Sequence, residues 1–492
     1  MTRRLALAVL LLAASARGEK PLWIAVGPKQ LLAPLAPLAE HRRAQGFETA
    51  LIDGMDPGAR QRFPRPPDYL LLVGDDEALA PEDAPWRVAA ALLPLYRWRA
   101  VQRERFASDA PWADADGDGA ADRPVGRIPA RTPLEVAAVV AKILAFEKRA
   151  PSPDDLRILA WAGTPSFGDA LDAMASGLLV ATARRYAPPW AVPWLICADA
   201  SQPLCGWPPD QPDLFAREMR RGALLGAGLA HGNADGFFSM SHGSGDVWFG
   251  PTELARGFTG AAPAPPLFLL SCNCGAFDRD RPCIAERALF LAGGPVAVVG
   301  ATTESHPLTN YFTGVALLKT LAEGAPQRLG DLWLGAERRG FLEKDFLVEQ
   351  MLKDAEGSLE KEIDVAKLRR DQRLLYVLLG DPALRLPLPA PLDATVEKRD
   401  GAWRWTARRP EGATRLLVGL RPAQREAPAP PAGADEIALR RAQFEAANAA
   451  EGFDPVGEIG DGPWEGSVDR PGRLRLVALG PDGVAVGTLE LE

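Results

Sequence analysis

Residues 266–278 read PLFLLSCNCGAFD: four apolar residues, Leu267 to Leu270, run straight into Ser271 and Cys272 and then into Gly275. A continuous apolar run of this length behind the Pro-rich APAPP is the pattern of a central strand in a parallel sheet, buried on both faces. Such sheets keep their reacting groups at the carboxyl ends of the strands, so the run predicts a thiol presented at the crevice. Thirty residues before Cys272, the segment GFFSMSHGSGDVW carries a second apolar run, Phe237 to Met240, that ends at Ser241, His242 and Gly243. The connection is long enough for a parallel crossover, which needs about a dozen residues. If the two strands are neighbours, His242 and Cys272 emerge side by side. A thiol nucleophile needs such an imidazole, because a free thiol with a pKa near ~8.5 is only a few per cent ionised at neutral pH.

The whole chain of 492 residues has room for about three domains at roughly 150 residues each, and its 47% apolar content is that of a globular protein. Net charge is -8 and the isoelectric point is near 5.4, with arginine scattered rather than gathered in a stripe. That argues against a nucleic-acid partner. At the N-terminus, Arg3 and Arg4 precede LALAVLLLAA, and Ala14-Ser15-Ala16 supplies the small-residue pattern of signal cleavage. We expect a signal peptide over 1–16, export to the periplasm, cell surface or exterior, and no membrane span in the mature chain, the apolar run being about half of the ~20 residues a span needs. Export permits disulfides. Five cysteines leave at least one unpaired, and Cys197 with Cys205, close in sequence, is the bridge to test first.

The order of motifs resembles the catalytic domain of the gingipain-type cysteine peptidases, which share the caspase-like fold. The similarity lies in strand-HG, then strand-SCxxG, then FDRDRPCIAE (277–286), with LIDG, DYLLLVGD, DADGDGAADRPVGRIPA, AVVGATTESHP and LLGDPALRL in the family's order across roughly residues 22–386. The resemblance implies that His242 is the catalytic histidine and Cys272 the nucleophile. It favours His242-Gly243 over the second pair, His231-Gly232, because SGDVW follows the former, whereas the latter follows what reads as a Gly-rich turn. Counting back from FD and Pro-Cys selects Cys272 over Cys274. The N–H of Gly243, with that of Cys272, would line the oxyanion hole. The loop holding Glu304 and His306 would border the S1 pocket, making Glu304 a candidate partner for a basic P1 side chain and His306 a loop residue.

Asp114, Asp116, Asp118 and Asp122 stand at positions one, three, five and nine around Gly119. Carboxylates at that alternation can converge on calcium, which takes six to eight oxygens. Val125 replaces the Glu an EF-hand requires at position twelve, so the site would be an acidic loop of another kind, as calcium-binding relatives of the resemblance imply. Asp75, Asp76 and Asp199 end predicted strands and read as caps or loop carboxylates; His41 reads as a surface residue. Cys272, Cys274, Cys283 and His242 could form a zinc set, although the spacing C-x-C-x8-C is irregular for one.

The expected architecture is α/β: a caspase-like region of two α/β subdomains with mainly parallel sheets (17–152 and 153–386), then an immunoglobulin-like β-sandwich over 387–492. The sandwich reading rests on period-two alternation in TVEKRDGAWRWTA, TRLLVGL, LRLVALG and VAVGTLELE, with QREAPAPPAGAD as an irregular insertion. LLYVLLGDP closes the sheet or bridges to the sandwich. The function implied is an exported cysteine endopeptidase acting on protein or peptide through a Cys-His dyad and a thioester, with no cofactor needed for the chemistry. A sortase-like transpeptidase or a secreted binding protein on the same fold are the alternatives.

Overall fold

The run Leu267–Leu270 forms strand β13, and all four residues are buried. In the computed structural model, which describes residues 19–96, 104–166, 168–324, 326–350, 364–423, 435–481 and 483–492, β13 lies inside one ten-stranded sheet. The expected leader and most of QREAPAPPAGAD lie outside the described residues. Sheet order is β2 (Glu48–Asp53), β1 (Leu22–Gly27), β3 (Tyr69–Val73), β6 (Val125–Ile128), β15 (Tyr376–Leu379), β14 (Val298–Ala301), β13, β9 (Leu225–Leu229), β7 (Arg157–Ala162) and β8 (Val192–Cys197). Every pairing is parallel except β14 with β15. The two halves of the catalytic region therefore share one sheet. LLYVLLGDP neither closes its rim nor leads away from it, but sits at its centre as the strand joining them.

Side chains brace that joint. Asp381, just past β15, accepts from Trp23 Nε1 at 3.0 Å and from Arg42 Nε and Nη2 at 3.0 and 2.7 Å. All three are buried, and a buried charge holds its place only when paired in this way. Arg127 of β6 meets Asp109 at 2.6 Å, donates to the carbonyls of Gly74 and Val88, and lies 4.7 Å over the Phe277 ring. The VGR and FD motifs thus touch, and the loop that follows Cys272 is anchored in the first half of the chain. The helix Pro133–Lys148 begins with the capping box read from the sequence: Thr132 accepts from Glu135 N, and the Glu135 carboxylate accepts from Thr132 N.

Two smaller sheets border the large one: the hairpin β4 (Ala91–Pro94) and β5 (Arg105–Ser108), and the antiparallel sheet β10 (His231–Asn233), β11 (Gly236–His242) and β12 (Gly245–Phe249). Beyond residue 387 the expected sandwich is present. A sheet of β16 (Ala390–Pro391), β23 (Gly483–Leu491), β22 (Gly472–Gly480), β19 (Arg415–Pro422) and β20 (Asp454–Ile459) faces one of β17 (Ala394–Arg399), β18 (Ala402–Ala407) and β21 (Glu465–Val468). Trp403, Trp405, Trp464, Leu416 and Leu474 fill the space between them.

One element was not expected. Between β19 and β20 a helix, Glu436–Ala450, opens on an Asp435 cap and lies against β8, the edge strand of the large sheet. Its Asn448 accepts from Leu195 N at 2.7 Å and donates to Leu195 O at 3.1 Å. One amide side chain thus occupies the hydrogen-bonding position of a missing neighbouring strand, one way to protect an edge. Phe444 packs edge-on against Trp194 at 5.5 Å, and Arg441 pairs with Asp210. No helix among the described residues is long and apolar enough to cross a membrane.

Candidate active site

β13 ends in a tight turn. Asn273 takes a left-handed φ of 58°, which Asn tolerates better than most residues, and its N–H reaches Thr303 O at 2.8 Å while that of Gly275 reaches Ala301 O at 2.8 Å. A Cβ on Gly275 would lie 2.5 Å from Gly300 O, so only glycine allows this approach. The turn leaves Cys272 half-buried at the carboxyl edge of the sheet, as the sequence predicts. Its Sγ lies 3.4 Å from Ser305 O and 3.8 Å from Ser305 Oγ. Burial pushes the thiol up, the Ser305 contacts pull it down, and the charge of Glu304 pushes it up again, for a net rise. Beneath it, buried Asn310 donates to Ser305 Oγ at 2.8 Å and Leu270 O at 3.3 Å, and accepts from Tyr376 Oη and Gln372 Nε2.

The strand beside β13 is β9, and this corrects the sequence reading. The run Phe237 to Met240 is no parallel neighbour of β13: it is β11, paired antiparallel with β10 and β12. Leu229 of β9 pairs with Leu270. Both segments leave their strands just past that pair, at Ala230 and Ser271, so His231 and Cys272 each stand two residues beyond it at the same end of the sheet. Gly232 packs directly on the thiol turn, where a Cβ would lie 2.8 Å from Ser271 Cβ and 3.0 Å from both Cys272 O and Cys274 Sγ. The ring of His231 is tied by Nε2 to Pro165 O, beyond β7, at 2.8 Å. A carbonyl only accepts, so Nε2 carries the proton and Nδ1 is left as the basic nitrogen.

His242 and Gly243 form a hairpin turn instead. His242 pairs with Gly245 across two residues, and Gly243 has φ of 59°, as a two-residue loop with glycine in first place requires. The His242 ring meets Trp207 edge-on at 4.7 Å. A bulge lies between Phe238 and Met240, and His242 stands four residues past Phe238, the residue opposite His231, about 13 Å at the usual rise of a strand. The expected partner of Cys272 and its oxyanion glycine are thus carried away from the thiol by the hairpin. A signal for His231 existed in LGAGLAHG but lacked bulk: Gly226 faces Met219 and Phe215, and Gly228 faces Phe237. Neighbours supply the apolar mass that the strand itself omits.

Cys274 is buried, its Sγ within 3.5 Å of Asn233 O and 3.7 Å of Gly236 O, and burial pushes its thiol well up. Cys283 is buried likewise. The expected Cys197–Cys205 bridge is not formed; both are free thiols, Cys197 3.9 Å from Ser176 O and Cys205 3.7 Å from Met240 Sδ. Glu304 stands partly exposed in the loop after β14, near enough to act on the Cys272 thiol. His306 is buried in that loop, its Nδ1 accepting from Leu308 N. Asp199 is occupied locally, one oxygen accepting from Ser201 N and Oγ.

Among the described residues, Asp114, Asp116 and Asp122 are the group of potential ligands close enough to share a metal ion, with oxygens within 4.8 Å of one another. That spacing suits oxygens each 2.3–2.6 Å from a calcium. Asp118 turns away, accepting from Ala120 N, with its other oxygen 3.7 Å from Arg373. The sulfur and imidazole groups considered for zinc form no such cluster among the described residues.

A family profile described as Peptidase family C25 matches residues 17–387. Among solved structures, the chain is similar to one titled "Structure of Protease" (TM-score 0.54, 13% identity, covering 97% of this chain and 100% of that one). It is similar also to the Arg-specific cysteine proteinase gingipain R (TM-score 0.52, 13% identity, 96% and 98% covered) and to a complex of Porphyromonas gingivalis RgpB pro- and mature domains (TM-score 0.51, 14% identity, 96% and 100% covered). No curated protein matches. At these identities the structural likeness speaks for the fold.

Proposed function

Because the chain belongs to peptidase family C25 and is a cysteine-type endopeptidase acting on protein or peptide, we propose that Cys272 is its nucleophile and that His231, in place of His242, is its base. The observation that carries this reading is the β9–β13 pairing, which ends at Leu229 and Leu270, two residues before His231 and Cys272, together with the close packing of Gly232 on the Cys272 turn. In the proposed mechanism His231 Nδ1 takes the proton from Cys272 Sγ, which leaves its contact with Ser305 O. The thiolate forms a bond to the scissile carbonyl carbon, and the carbonyl π pair moves onto oxygen. The N–H of Gly232, in place of Gly243, and that of Cys272 hold the developing oxyanion. Gly232 supports this role because it packs directly on the Cys272 turn, within reach of Ser271 and the Cys272 carbonyl. As the oxyanion collapses, the C–N bond breaks and Nδ1–H protonates the leaving amine; water, deprotonated by the same nitrogen, then hydrolyses the thioester.

The charge of Glu304 beside the thiol supports a basic side chain at P1. Asp114, Asp116 and Asp122 would hold a structural calcium away from the chemistry. The leader pattern at residues 1–16 supports export to the periplasm, cell surface or exterior. The test is a cleavage screen over peptides varied at P1, with wild type and Cys272→Ala. Loss of cleavage in the variant, and a preference for Lys or Arg that Glu304→Gln weakens, are expected. Equal activity in wild type and Cys272→Ala removes the nucleophile.

A further inference from the structure

We propose that Phe238 and Trp248 form an apolar subsite for the residue that follows the scissile bond, so that the enzyme favours a large apolar or aromatic side chain on the leaving side. The inference rests on His231 as the base and deepens that reading.

In the three-stranded sheet His231 lies directly opposite Phe238, and Phe238 directly opposite Trp248. Directly opposed residues of antiparallel strands share a face, and the two rings meet at 5.4 Å with a tilt of 55°. Phe238 and Trp248 are only partly buried, whereas Phe237, Ser239, Val247 and Phe249 on the other face are buried in the core. Two large aromatic residues thus stand at the surface in one row with the imidazole. At the usual strand spacing of about 4.8 Å, the row runs from roughly 5 to 10 Å beyond His231.

Chemistry gives the row its direction. Cys272 bonds to the acyl carbon, and His231 must reach the departing nitrogen. A path from Cys272 through His231 therefore continues along the segment that carries the new amino terminus, and the next side chains it meets are Phe238 and Trp248. Aromatic rings of this kind offer a large apolar surface at little conformational cost. The polar pair Ser241–Asp246, 2.7 Å apart, lies farther along the hairpin.

Two internally quenched peptides that differ only in the residue after the scissile bond, Phe or Ser, test the proposal. Wild type is expected to favour Phe in kcat/KM by about tenfold or more, the range an apolar pocket achieves. Phe238→Ala and Trp248→Ala should each bring the Phe/Ser ratio close to one, and Trp248→Phe should retain it. A merely structural role would slow both peptides alike and leave the ratio intact, which overturns the proposal, as does a wild-type ratio near one. Should the alanine variants fail to fold, the Cys272→Ala protein carries the test: it should bind the Phe peptide more tightly than the Ser peptide in fluorescence anisotropy, and equal binding overturns the subsite. His231→Ala separates the two readings. If it cleaves at the wild-type rate, the base is misassigned whatever the ratio; if it is inactive while the ratio ignores Phe238 and Trp248, the subsite alone falls.

Discussion

Replacing His231 by alanine should cost this enzyme nearly all its activity, whereas replacing His242 should cost it almost none. At its ordinary pKa near ~8.5 a thiol is about 3% thiolate at pH 7. Burial and the Glu304 charge hold Cys272 higher still, so without a base the reactive fraction falls below that, a loss of more than about 30-fold. His231→Ala also removes the proton donor for the leaving amine, a contribution of about 10²–10⁴. The two losses overlap, since one imidazole serves both steps, and kcat/KM should drop by about 10³ or more. His242→Ala removes an edge contact with Trp207 at a hairpin turn and should stay within about twofold of wild type. Steady-state cleavage of a fluorogenic peptide reads both variants. Iodoacetamide alkylation across pH 5–10 provides an independent measure: wild type should react at lower pH than His231→Ala, whose profile should follow the unassisted thiol. A His231→Ala enzyme that keeps its activity, or a His242→Ala enzyme that loses as much, refutes the assignment.

Three further outcomes are expected. Calcium should raise the melting temperature and EGTA lower it; Asp114→Asn and Asp122→Asn should abolish the shift and Asp118→Asn preserve it, whereas indifference to EGTA excludes a bound ion. Asn448→Ala should lower unfolding free energy in urea by about 2–3 kcal/mol, since it removes two hydrogen bonds and strands both Leu195 main-chain groups at the sheet edge, and a change below about 0.5 kcal/mol would show that water replaces the amide. Burial, aided by the charge of Asp75, pushes Glu286 up to about 8. The unfolded chain ionises this group near ~4.3 while the folded chain keeps it neutral, so its contribution declines between about pH 5 and pH 8. Urea midpoints across that window should fall less steeply for Glu286→Gln, and identical slopes would remove Glu286 as the source.

Legibility in the sequence followed where the bulk sits. Leu267–Leu270 carries its own apolar mass, so its strand and the thiol at its tip could be read directly. β9 carries LGAGL and borrows its packing from Phe215, Met219 and Phe237, so its approach to His231 looked like a turn. The Phe237 to Met240 run misled for the opposite reason. Its burial alternates, and Phe238 on the outer face gave the appearance of a strand buried on both sides. An apolar residue spent on an exposed face is the kind of local inconsistency that marks function. The landmarks VGR, FD and GDP were legible as strings, but their contacts, Arg127 over Phe277 and Asp381 on Arg42, are tertiary. The helix Glu436–Ala450 had a visible signal in its Asp435 cap and Ala-rich run, yet the surface it covers belongs to β8, more than two hundred residues earlier in the chain.

Strand β15 also sets a condition on how the polypeptide becomes competent. It supplies the seam between the Val125–Ile128 and Val298–Ala301 strands, yet it is the last strand of that sheet to leave the ribosome. Without it the sheet falls into two parts, and the turn that carries Cys272 meets the first of them through contacts such as Arg127 over Phe277 and Thr302 on Ala107 alone. A chain that ends before Tyr376 therefore lacks the strand through which the two parts of the sheet are hydrogen-bonded to each other.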